Sequence, residues 1–224
     1  MTKMAGSRVR DPERRERILD AAAELISRHG FLSVSLSDIG SAAGIVGSGI
    51  YRHFDSKGAI LVEMFDRVVD QLIANAEESF ALSPDPQSTL GILVNGQVEL
   101  VLRRRALCQV YVRESRNLPD SDQLRLRWKQ RHYVALWEDT LCTVRPSVSH
   151  ELSKVIVGAA ISSIHSVLSF SSGLGEAELA DTLRDSACRV LQVAPQDFSC
   201  CTDERPAQVG SIDSAVASST TGSS

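Results

Sequence analysis

Tyr51, Arg52, His53 and Lys57 place a phenol, a guanidinium, an imidazole and an ammonium within seven residues. Such donors suit oxyanions, which accept several hydrogen bonds at once. Just upstream, Ser35, Ser37 and Ser48 add hydroxyls, and Gly47 and Gly49 add positions with no side chain. A backbone bare at those two positions can approach another surface closely. No pattern of a nucleophile with its base is present. The chain has no GxSxG, no P-loop, no HExxH and no Cys/His ligand spacing. Neither catalysis nor a metal or cofactor site is therefore expected. The five cysteines, Cys108, Cys142, Cys188, Cys200 and Cys201, are odd in number and read as idle thiols of a reducing cytoplasm.

These donors need elements to hold them. Ile18, Ala22, Leu25, Ile26 and His29 recur at helical steps from Asp11, and the pattern stops at Gly30. A short helix follows, capped by Ser35 and closed by Gly44. Ile39 and either Ala42 or Ala43 point inward, and Ile45 fills the space behind the turn. Ile50 and Phe54, four apart, share the inner face of a third helix, which throws residues 47, 48, 51 and 52 outward. Three short helices with a tight glycine turn between the last two form a helix-turn-helix, whose second helix lies in the DNA major groove.

Helical periodicity continues. Leu61, Met64, Phe65, Val68, Leu72, Ala76 and Phe80 form one stripe, broken at Ser83 to Pro86. Leu90, Leu93, Val94, Gln97 and Val101 form the next. After "RNLPDSD", with Ser121 as cap, a helix runs to about Arg145. Tyr133, Trp137 and Leu141 stripe it, and Trp128, Tyr133 and Trp137 read as core. Two more helices run from Ser149 to about Ser171 and from Glu176 to about Val193. The first is apolar or small nearly all round, as expected of a helix lying between a core and a second subunit. The fold class is all-α. The organisation is a basic arm over 1–10, a helix-turn-helix domain over 11–57, a helical effector-binding and dimerisation domain over 58–194, and a disordered tail over 195–224.

Charge agrees with this division. Through Lys57 there are nine Lys and Arg against seven Asp and Glu, or +2; the remainder has 15 against 21, or −6. A slightly basic head on an acidic body fits one nucleic-acid face. No secretory h-region follows the basic start, and no apolar run is expected to cross a bilayer, so a cytoplasmic protein is expected.

"LSDIGSAAGIVGSGIYRHFDSKGAIL" resembles the DNA-binding domain of the TetR family of bacterial transcriptional regulators. The matching positions are Ser35, Ile39, Ala43, Gly44, Ile45, Ile50, Tyr51, His53, Phe54, Ser56 and Lys57. The leading helix matches through Ala21, Ala22, Leu25, Ile26, Gly30 and Phe31. The motif covers about the first quarter of the chain. Val46, Gly47 and Gly58 depart from the family's usual residues. The resemblance implies that Tyr51, His53 and Lys57 contact phosphates, with Ser35 capping its helix and facing the DNA backbone. Ser37, Gly47, Ser48, Gly49 and Arg52 are left to read bases. It further implies a homodimeric repressor on a palindromic operator, released by a small molecule. His53 taken alone could equally be structural.

Residues 103–131 hold nine Lys and Arg against three acidic residues. One reading is a solvated, ion-paired face. The other is an anion site in which Arg103, Arg104 and Arg113 hold the phosphates of a lipid-like or acyl-CoA effector. Its tail would then lie among Leu93, Val101, Tyr111, Trp137 and the 155–167 helix. Two alternatives stay open. One is a helical small-molecule binder or enzyme with a vestigial head. The other is a regulator controlled by a protein partner.

Overall fold

A computed structural model describes residues 12–45, 47–82 and 85–193. The expected basic arm, with Arg8 and Arg10, and the expected tail over 195–224 lie outside the described residues, as does Val46.

The described residues form eight α-helices and three 3-10 turns. Helix α1 spans Pro12–His29 and α2 spans Leu36–Ala42, followed by a 3-10 turn over Gly47–Arg52. The body comprises α3 (Lys57–Leu82), α4 (Pro86–Arg103), α5 (Arg105–Glu114), α6 (Asp120–Val144), α7 (His150–His165) and α8 (Glu176–Leu191). Short 3-10 turns at Ser115–Asn117 and Ser166–Ser169 extend α5 and α7.

Most ends follow from local chemistry. Gly30 and Gly44, with φ of 80° and 72°, occupy the left-handed region that a Cβ disfavours, and so end α1 and α2. Ser35 caps α2 reciprocally: its Oγ accepts from Asp38 N at 3.1 Å, while Asp38 accepts from Ser35 N at 2.9 Å. Asp85 caps α4 ahead of Pro86, accepting from Ser88 N at 3.0 Å. Ser149 caps α7 as expected, accepting from Leu152 N at 3.2 Å. The start of α6 differs from expectation. Pro119 holds the N-cap position, and Ser121 lies inside the helix. The fixed φ of proline starts this helix, and Asp120 and Asp122 place carboxylates at its positive end.

Two apolar cores form. The first gathers Ile18, Ile26, Ile39, Ile50, Phe54 and Phe65 with Leu107 and Val110 of α5 and Leu126 of α6. The head is thus not closed off at residue 57, because α3 and α5 complete its core. The second core is built on Trp137 and Leu141 of α6 with α4, α7 and α8. Trp128, expected with Trp137, is instead 68% exposed and stacks on His132 with ring centroids 6.0 Å apart. Five residues before Tyr133, it falls well round the helix from the Tyr133–Trp137 stripe.

Helix α3 is gripped from both sides. Glu63 pairs with Arg15 of α1 and, at 2.6 Å, with Arg67, which also pairs with Glu16. Asp66 meets Arg125 at 2.6 Å and Lys129 at 2.9 Å, and Lys129 reaches Asp70 at 2.7 Å. These bridges fix α3 between α1 and α6.

Helix α7 buries Val157, Ala160 and Ile164 and leaves Leu152 and Val155 exposed at 48% and 67%. With the following turn, His150–Ser169 reaches 20 residues and contains an 18-residue window of mean hydropathy 1.4, enough to cross a membrane by length and composition. That corrects the expectation that no such stretch exists. In the fold, the helix packs one face on α6 and α8 and carries Glu151 and Lys154 on the other.

Candidate nucleic-acid interface and ligand cavity

The inner side of the head fixes its outer side. Gly40 of α2 lies so close to the 3-10 turn that a Cβ there would stand 3.1 Å from Ile50 Cβ. Small residues let the two elements cross, as expected from "SAAG"; Ala43 is buried and Ala42 is exposed. The second element is a 3-10 turn rather than the α-helix expected. Its last turn closes with His53 N donating to Ile50 O at 2.9 Å. Two glycines in six residues give little helical preference, and a short tight turn is the result. Ile50 and Phe54 nevertheless share the buried face.

On the opposite side, Ser37, Ser48, Tyr51 and Arg52 are exposed, Tyr51 at 57%. None of these four makes a side-chain hydrogen bond or ion pair among the described residues. They form one edge of free donors beside Ser35. Gly47 begins the turn. Gly49 does not belong to that edge. A Cβ on it would stand 2.7 Å from Ile45 Cγ2, so its bare side faces the half-buried Ile45.

Two basic side chains have inner duties. Lys57 Nζ donates to the carbonyls of Phe31 at 2.6 Å, Val34 at 2.9 Å and Leu32 at 3.3 Å, and lies 4.5 Å from the Phe31 ring centroid. Its three protons tie the α1–α2 loop to the start of α3. Arg15 stacks on Phe54 at 4.3 Å and donates to His53 O at 3.1 Å, which orients the backbone at half-buried His53.

Beneath the head, α3 to α7 line an apolar cavity of about 110 Å³ that opens to solvent beside the exposed Val112. Phe65, Val68 and Leu72 of α3 face Cys108 and Tyr111 of α5, with Tyr133 of α6 and Ile161 and His165 of α7. Phe65 and Tyr111 meet edge to face at 4.8 Å. Of the expected effector residues, Tyr111 lines the cavity, whereas Arg103, Arg104, Arg113 and Trp137 do not. Trp137 is fully buried behind the cavity wall. Arg104 pairs with Asp20 at 2.8 Å, Arg113 donates to Ser27 O at 3.2 Å, and Arg103 lies 3.9 Å from Glu99. The solvated, ion-paired reading of this basic stretch thus fits Arg103 and Arg104, while Arg113 is tied to a backbone carbonyl. Arg105 donates to the carbonyls of Val167 and Phe170, tying α5 to the turn after α7. Gln97 was legible as the one polar residue on an apolar stripe, but its role was not. It lies at the cavity with His165, their side-chain nitrogens 2.8 Å apart.

Among the described residues, the fold and site define an all-helical architecture with a helix-turn-helix head on a body that holds a cavity. Residues 18–64 match the family model for bacterial regulatory proteins of the tetR family. The chain is 32% identical over 105 residues to the transcriptional repressor KstR2 of Rhodococcus jostii RHA1, covering 47% of this chain and 52% of that one. It thus aligns with only about half the length of this curated relative. A TetR-family regulator from Bordetella parapertussis superposes with a TM-score of 0.72 at 24% identity, over 80% of this chain and 94% of that one. The ketosteroid regulator KstR2 of Mycobacterium tuberculosis superposes at 0.70 with 20% identity, over 85% and 97%. The head of the chain, residues 18–64, is thus similar to the DNA-binding domain of the tetR family of bacterial regulatory proteins.

Proposed function

We propose that the chain is a DNA-binding transcriptional regulator that works as a homodimer on a palindromic operator and responds to a small lipophilic effector. The observation that carries this is the edge of unpaired donors, Ser37, Ser48, Tyr51 and Arg52, on a head whose inner face is locked by Gly40 against Ile50. Tyr51 holds phosphate, whereas the Ser35 hydroxyl, expected to do so, donates to the Asp38 carboxylate at 2.6 Å. Ser48, Arg52 and Ser37 meet base edges, with Gly47 leaving room for the backbone to come near the groove floor. The acting compartment is the bacterial cytoplasm, where the operator lies.

The helices between cavity and head supply a route for coupling. Helix α3 is continuous from Lys57 beside the head to Leu72 at the cavity. Helix α5 faces the cavity with Cys108 and Tyr111 and holds α1 with Arg113, and Arg104 at its N-cap holds Asp20 of α1. Glu114 also accepts from Phe31 N at 3.4 Å. A ligand that fits best when α3 and α5 stand further apart would shift α1 and the head with them. It acts only through its preference for that conformer over the operator-bound one. The resemblance to KstR2 repressors favours repression released by ligand.

Operator selection from random DNA with the full chain, followed by footprinting of the winning site, tests the reading. Two protected half-sites are expected, and Tyr51→Ala should weaken binding at least tenfold without changing the melting temperature. Absence of any selected sequence, or an unaffected Tyr51→Ala, would sink it.

A further inference from the structure

We propose that the effector is an uncharged, mostly hydrocarbon molecule with a single carbonyl or hydroxyl oxygen, and that Gln97 and Tyr133, backed by His165, read that oxygen. This rests on the ligand-responsive reading above and specifies the chemistry of the same cavity.

Among the described residues, no Lys, Arg, Asp or Glu lines the cavity. Gln130, Cys108 and Tyr111 also line it, and three of its polar side chains are joined to one another. Tyr133 Oη donates to Gln97 Oε1 at 3.1 Å, and Gln97 Nε2 lies 2.8 Å from His165 Nε2. With the Gln97 amide donating there, His165 Nε2 accepts and its ring proton sits on Nδ1, so the imidazole is neutral. Burial favours the same state, holding His165 below the ordinary histidine range. Burial also pushes the Tyr111 phenol and the Cys108 thiol up to about 12, and Tyr133 further up. The walls therefore carry no charge near neutrality. A carboxylate or phosphate placed there would lose its water and gain no counter-charge.

The neighbouring cleft does not supply one. It shares Val68, Leu72, Leu100 and Leu107 with the cavity, so these four side chains form the partition. Beyond them stand Arg67, Arg103 and Arg104, each already paired, against Glu16, Asp20, Asp70 and Glu99. A carrier with several phosphates leaving by that route would meet more carboxylates than guanidiniums.

The polar group retains capacity for one ligand oxygen. Gln97 keeps its second amide proton and a second lone pair on Oε1, and the Tyr133 oxygen keeps its lone pairs. A ketone can accept from the amide, and an alcohol can donate to either oxygen. The remaining wall, Phe65, Leu72, Leu100 and Ile161, takes hydrocarbon. At about 110 Å³ the cavity is smaller than the engineered apolar cavity of about 150 Å³ that holds benzene in another protein, so a single six-membered ring, using the open side, is the largest fitting probe.

The test titrates the full chain at pH 7.5 with cyclohexanone, cyclohexanecarboxylate and benzene, using calorimetry and protein NMR. Cyclohexanone should bind at least tenfold more tightly than the carboxylate. Gln97→Leu, similar in size, should weaken cyclohexanone about tenfold and leave benzene within twofold; Tyr133→Phe should act in the same direction. A carboxylate that binds as well as the ketone overturns the inference. So does a Gln97→Leu variant that weakens ketone and benzene alike, because Gln97 would then only shape the cavity. Failure of all three probes also overturns it. If the wild type still binds its selected operator in that case, the DNA-binding part of the regulator reading survives. Loss of operator binding by the wild type would strike that reading instead.

Discussion

At the scale of single residues, the head makes its glycines do different jobs. Gly44 turns the chain, Gly40 lets α2 approach Ile50, and Gly49 makes room for Ile45. Alanine at Gly49 would gain helical preference, worth ~0.5–1 kcal/mol. It would also bring its Cβ to 2.7 Å from Ile45 Cγ2, a methyl that moves away only if the half-buried Ile45 changes its χ1 rotamer. Overpacking of this kind costs about 1–3 kcal/mol. Gly49→Ala should therefore destabilise the head in urea titration, and in an Ile45→Ala background the same change should be neutral or stabilising. Equal effects in both backgrounds would disprove the contact. Sequence made part of this legible. The glycines stood out, but whether a bare position faces DNA or core depends on the tightness of the turn, which periodicity does not encode. Lys57 is a similar case: motif matching identified the residue, and only the fold shows its protons bound to the carbonyls of Phe31, Leu32 and Val34.

At the scale of elements, the apolar stripes marked the long helices well, because each buries one face and the stripe records it. The 3-10 turn and the start of α6 were less legible, since neither carries a stripe and both are decided by one or two residues. The grip on α3 was not visible at all. Glu63 and Asp66 are ordinary surface letters until α1 and α6 bring Arg15, Arg125 and Lys129 to them. Asp66 offers a test. Burial pushes its carboxyl up, but hydrogen bonds and charge from Arg125 and Lys129 outweigh burial and hold it below the ordinary aspartate range. A carboxyl with a depressed folded pKa contributes stability that is full above its unfolded value, about 3.9, and is lost as pH falls through the folded value. Each bridge is partly exposed and contributes about 1 kcal/mol or less. Asp66→Asn should thus lower stability at pH 7 and pH 5 by similar amounts, and the gap to wild type should close as the pH falls below about 4. A gap of constant size down to pH 2.5, measured by urea unfolding, would show that the charge on Asp66 is irrelevant.

At the scale of the whole molecule, the proposed palindromic operator needs two heads, so on that proposal the arrangement of two copies decides function. Leu152, Val155, Ala159 and Ser162 recur at steps of three and four along α7 and all face out, while Val157, Ala160 and Ile164 on the other side are in the core. A second copy laid on this stripe would form a four-helix interface from α7 and α8, with small residues allowing close approach. Two heads held in this way must enter successive major grooves, about 34–36 Å apart for each turn of DNA. Val155→Asp should put an unpaired carboxylate at the middle of that interface, where loss of hydration without a partner opposes association. The side chain is 67% exposed in the single chain, so the substitution leaves the fold of each copy intact. Sedimentation should then report a monomer with wild-type circular dichroism, and the variant should bind the selected operator at least a hundredfold more weakly. Binding to each isolated half-site should be unchanged, because Tyr51, Ser48 and Arg52 are untouched. A variant that still sediments as a dimer would place the subunit contact elsewhere. A monomer that binds the full operator as tightly as wild type would remove dimerisation from the mechanism altogether.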